Sequence, residues 1–198
     1  MRLAAAALGV LLISPLSGTD MERALSLARA RDVDRQQFHH RYVTNLPGPV
    51  VAQIEVITEF RRLVIIAEDH VLRGDWMFTR GLRAAEDAIR PMRGVITLRA
   101  EVHFNPLNTF IESPPYTLAL GRPDSAPVET VETVITQLTP KFSVPFKAKS
   151  GKMLSSLIGC SLESSVEAAR IGQTTRVVAV TLEGKDAGHT LIDFKSLD

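Results

Sequence analysis

The 198-residue chain has a single cysteine, one tryptophan and two tyrosines. With Cys160 alone, no internal disulfide is possible, so the fold must be held by its apolar core. Cys160 lies in LSSLIGCSL with no basic neighbour, the setting of a buried small hydrophobe rather than a reactive thiol. An excess of one charge is also missing: 23 basic residues face 22 acidic ones. That balance gives no broad field for a polyanion, so no nucleic-acid partner is expected. Peripheral membrane contact is not expected either, because Glu22, Asp32 and Asp34 interrupt the arginine-rich first helix.

Long apolar runs are absent too. Leu3 to Ile13 is uninterrupted but only eleven residues long, and a helix needs about 20 to cross a bilayer core. None of Asn45, Asn105 and Asn108 is followed by the pattern of a glycosylation acceptor. Catalytic signatures fail in the same way. SGK at 150–152 lacks both the earlier glycine and the following Ser or Thr of a phosphate-cradling loop, and Gly159-Cys160-Ser161-Leu162 lacks the closing glycine of a serine elbow. His-Glu-x-x-His does not occur.

What is present begins with an export-like leader. Arg2 supplies a positive start, Leu3 to Ile13 an apolar run, and SPLSG a breaker-rich end. Residues 1–19 therefore read as a signal peptide, and residues 20–198 as one domain that is periplasmic or extracellular. No cysteine near the boundary offers a site for lipid attachment.

The strongest periodic stretch is Pro49 to Arg73, where Val50, Ile54, Ile57, Val64, Ala67 and Val71 recur at helical spacing. It predicts one long helix, started by Pro49 and closed by Gly74. A preceding helix from Asp20, its expected cap, to about Val43 would join it through the PGP at 47–49 as an αα-hairpin. Trp76 and Phe78 are expected in the core, and a short third helix runs from Thr79 to Ile89 and is stopped by Pro91.

From Val95 the period changes to two. Ile96, Leu98, Ala100 and Val102 alternate with Thr97, Arg99, Glu101 and His103, the pattern of a strand with one wet face. Thr175 to Glu183 and Thr190 to Phe194 form the clearest hairpin, and GRPDSAP at 121–127 reads as a loop. VEAARIGQ at 166–173 fits either one helical turn or a strand crossing. The predicted fold is α+β: an N-terminal helical hairpin plus a short third helix (20–93), packed on an antiparallel β-sandwich of about seven strands (94–198).

The histidines and their neighbouring carboxylates are the one constellation that could carry chemistry. If the helices docked on the sheet's outer face, Glu68, His70 and His103 could meet as a zinc- or iron-type site of a metal-dependent hydrolase. Against this, no two of them share a ligand-type spacing. The acids Glu55, Glu59, Glu68 and Asp69, read as one helix, fit a solvated face with Arg61 and Arg62 better than a glycan-cleaving pair. With no catalytic residue and no cofactor indicated, the chain reads as an exported, non-catalytic binding or structural protein of a cell envelope or secreted assembly, with a protein partner.

Overall fold

The computed structural model describes residues 16–107, 109–123, 129–141 and 145–197. Most of the leader, part of the 121–127 loop and residues 142–144 lie outside these. The architecture is mixed α+β, with helices at one end of an antiparallel β-sandwich.

Helix α1 spans Gly18–Ala28 and α2 spans Asp32–His40. The single helix expected from Asp20 to Val43 is thus two. Arg31 is extended, and Asp32 and Asp34 favour a fresh helix N-terminus, where the backbone dipole is positive. The cap of α1 is Ser17, not Asp20. The Ser17 hydroxyl accepts from the Asp20 amide at 3.1 Å and the Asp20 carboxylate accepts from the Ser17 amide at 3.3 Å, a closed capping box.

The long helix predicted from Pro49 is also two elements. Strand β1, Val43–Asn45, is followed by β2, Val51–Ile57, and only then by helix α3, Glu59–Leu72. Within β2, Ile54 and Val56 are buried in the sandwich while Gln53 and Glu55 face the other side, an alternation that suits β-branched residues. Thr58 marks the change: its hydroxyl accepts from the Arg61 amide at 3.2 Å and caps α3. The PGP segment accordingly connects two antiparallel strands, with Leu46 donating to the Ala52 carbonyl, instead of turning a helix pair. Gly74, at φ +79°, closes α3 as expected.

Helix α4, Leu82–Ile89, completes the helical part. Its core is built from one repeated spacing: Met21, Ala24, Leu25 and Ala28 of α1 meet Phe60, Leu63, Val64 and Ala67 of α3, with Phe38, Ala85 and Ile89 filling the sides. The apolar stripe of α3 therefore faces other helices, not the sheet. Phe78 is buried here and stacks on His70 with ring centroids 3.9 Å apart, whereas Trp76 is 53% exposed. Two residues apart in a tight turn, they point to different sides, and only Phe78 reaches the core.

Among the described residues the sandwich has nine strands in two sheets. Strand β3, Val95–His103, pairs with β2 and with β9, Gly159–Glu167, and β6, Val134–Leu138, adds the far edge. The second sheet orders β11, Lys185–Asp193; β10, Thr175–Leu182; β4, Tyr116–Gly121; and the two-residue β5, Glu129–Thr130. Ile54, Leu98, Ala100 and Leu162 of one sheet pack against Leu118, Val178, Val180 and Ile192 of the other. Two strands beyond the expected number come from β1 and β2, in the stretch read as helical.

The C-terminal hairpin turns on Glu183 and Gly184, both with positive φ, the two-residue geometry that matches strand twist. VEAARIGQ contains one helical turn, α5, Ala168–Ile171. A separate small hairpin, β7 (Phe146–Lys147) with β8 (Met153–Leu154), leaves the sandwich at the end away from the helices.

Candidate functional site

Glu68 sits on α3 and is part-buried, with the His39 Nε2 at 2.9 Å from its carboxylate. His70, two residues on, faces Asp75 instead, Nδ1 to carboxylate 2.9 Å, and stacks on Phe78. The hydrogen bond from His70 holds the Asp75 carboxyl below the usual carboxylate range. His103 ends β3 and pairs with Glu101 at 2.8 Å. Each of the three predicted ligands thus has a different local partner, and they are not gathered around a cleft. Among the described residues, no group of three or more His, Cys, Asp or Glu side chains is placed to hold a metal ion.

A different polar cluster runs between the helical part and the sheet, and Arg61 is its centre. This residue is only 3% exposed. Its guanidinium donates to the Val56 carbonyl and to Glu55, each at 2.5 Å, and to His39 Nδ1 at 3.3 Å, and it lies 5.0 Å from the Tyr42 ring centroid. Because His39 Nδ1 accepts from Arg61, the imidazole proton sits on Nε2, where it is donated to Glu68. Glu55 in turn accepts from Arg99, which also bonds Glu163 across β3 and β9. Burial lowers the Arg61 pKa and the adjacent Glu55 charge opposes that fall. Nearby Arg62, its pKa also lowered by burial, donates to the Thr97 hydroxyl of β3.

Chemically this cluster fastens rather than reacts. Fixed donors meet fixed acceptors, and one charged chain ties α2 and α3 to the outer face of the sheet. Helical spacing puts Glu55 and Arg61 on one helix and so hides the cluster in the sequence. The available signal was Thr58, a helix-capping residue that separates the two.

Cys160 is fully buried in β9, and burial pushes its thiol pKa up, with only partial opposition from a Ser113 hydrogen bond. It has the environment of an inert core residue, as its sequence neighbours suggest. A pocket of about 150 Å³ lies where the two halves meet, walled by Phe60, Ile96, Phe194 and Leu197, with Glu59 at its rim. It is too small for more than a compact apolar group.

The remaining candidate is an edge. Strand β6 pairs only with β9, and no described strand lies on its other side. Val134 to Gln137 are exposed, Val134 by 66%, and the strand VITQL carries no charge and no proline. The other edges are guarded. β1 is three residues long, β5 is two residues long and carries Glu129, and β11 bears Lys185, Asp186 and Asp193 and is kinked by a register shift opposite Val180. An uncharged, exposed edge offers backbone N–H and C=O groups to an incoming extended chain. No family model, curated protein or solved structure matches this chain, so its geometry alone carries the reading of the site.

Proposed function

We propose that the protein is an exported, non-catalytic binding component of a cell envelope or secreted assembly, and that it takes a protein partner by strand addition along β6. The observation that carries the reading is the unguarded β6 edge beside three guarded ones. The leader composition supports export. Support for a non-catalytic role comes from the histidines: His39, His70, His103 and His189 are each engaged by a neighbouring carboxylate. A metal-dependent hydrolase built on Glu68, His70 and His103 is the less favoured reading, since that chemistry needs the three side chains around one ion.

The test places a photo-crosslinking amino acid at Val134 in the native host and, as a control, at Val33, which is 59% exposed on α2. A discrete adduct from position 134 and none from 33, lost when Val134→Lys and Ile135→Lys put charge on the edge, is the expected result. Equal labelling at both positions ends the strand-addition proposal. Recovery of the chain wholly in the cytosolic fraction ends the export proposal.

A further inference from the structure

The near-neutral total charge hides a local segregation. Residues 133–162 contain no Asp or Glu and four of the chain's six lysines, Lys141, Lys147, Lys149 and Lys152, leaving 19 basic against 22 acidic residues elsewhere. The fold gathers this stretch at one end. β3 and β9 run antiparallel with Val95 opposite Glu167 beside the helices and His103 opposite Gly159 at the far end, where β6 ends at Leu138, so the described residues 139–141 and 145–158 belong to the end away from the helices. There the β7–β8 hairpin pairs Lys147 with Met153 and Phe146 with Leu154, and turns through Gly151 at φ +83°. Among the described residues none of Lys147, Lys149 and Lys152 has an ion-pair partner, and all three are exposed.

Large apolar side chains share that end. Met153 is 58% exposed and Phe146 42% on the hairpin, Ile158 51% at its base, and Leu107 90% on the neighbouring 105–111 loop. A bridge between Phe110 and Leu157 holds this loop against the base of the hairpin, and an open groove of about 880 Å³ lies beside it, walled by Phe104, Pro106 and Ile158. Acids share this end: Glu101 beside His103 on β3, Glu112 two residues past Phe110, and Glu183 and Asp186 at the turn of the second sheet, and among the described residues none of them pairs with a lysine of the hairpin.

We propose that this end docks on an anionic phospholipid surface, with Leu107, Met153 and Ile158 entering the headgroup boundary and the lysines meeting lipid phosphates. Exposed apolar side chains beside unpaired lysines complement an interface that is apolar below and negative above. Lysine stems lie along apolar surface while their ammonium groups stay in the polar layer. A soluble polyanion would use the lysines but give the apolar side chains nothing. The inference deepens the envelope reading by naming a surface, and it stands even if β6 takes no partner, because the test contains no second protein.

The full chain is sedimented with vesicles of phosphatidylglycerol and phosphatidylcholine, with pure phosphatidylcholine vesicles, and with soluble dextran sulfate as a competitor. Binding to the mixed vesicles is expected, weakening with salt. The combined Lys147→Ala, Lys149→Ala and Lys152→Ala variant should lose on the order of a hundredfold in partitioning. Arg83→Ala, on α4, with Lys195→Ala should lose little. The single Trp76, in the helical part, should keep its emission on binding, while Phe146→Trp in a Trp76→Phe background should shift to the blue. No vesicle binding, binding to dextran sulfate alone, an unweakened triple-lysine variant, or a shift at Trp76 with none at position 146 would each overturn the proposal.

Discussion

Arg61 shows what a buried charge costs when its surroundings are changed. Of the five donors in its fixed fork, the Val56 carbonyl, the Glu55 carboxylate and His39 each take one. Truncating it to Met would leave Glu55 without its principal cation in a part-buried site, and a loss of about 3–5 kcal/mol is expected, read as a lower urea midpoint at unchanged slope. Asp75 makes a gentler case. Its carboxyl is lowered chiefly by the His70 hydrogen bond, so in acid the folded state holds fewer protons than the unfolded one. The link is then fully present above the ordinary carboxylate pKa and is lost as pH falls through the lower folded value, below about pH 4. Trp76 lies next in sequence, and its emission should report that acid transition in the native chain and lose it in Asp75→Asn. These partnerships were not legible in the letters. His39 and Glu68 are 29 residues apart, and their meeting depends on how α2 is laid on α3.

At the level of elements, Gly159 fixes how closely β9 can approach β3. A Cβ there would lie 2.2 Å from the Val102 carbonyl oxygen, a backbone atom that cannot step aside. Gly159→Ala should therefore cost roughly 1–3 kcal/mol and open the far end of the β3–β9 ladder, seen as faster amide exchange at His103 and Cys160. The legible elements were those with one wet face. β3 showed its alternation openly because Arg99 and His103 meet solvent, and the β10–β11 hairpin did so through Val178, Val180 and Ile192. The junction at Thr58 misled because Val50, Ile54 and Ile57 happen to continue the three-and-four spacing of α3 backwards into a strand. Periodicity alone does not separate a short buried strand from helix, and here β-branched content and a capping threonine were the deciding signs. The break between α1 and α2 was marked by Asp32 and Asp34, which read equally well as a solvated face.

The molecule as a whole is two cores with a polar seam. The helical core and the sandwich core share few side chains, Leu197 among them, while Arg61, Arg62 and Arg99 supply the charged connection. The sandwich also separates two proposed contacts: β6 along its side for a protein segment, and the β7–β8 hairpin at its tip for lipid. If both hold, a partner on β6 would lie alongside the membrane with its Leu138 end nearest the lipid, and crosslinks from Leu138 should include lipid where those from Val134 do not. Cys160 adds something practical. As the one thiol, sealed inside β9 and disinclined to ionise, it reacts with a maleimide only when the strands part. The native chain thus carries a stopwatch for breathing of the sandwich and, in Trp76, an independent lamp on the helical side.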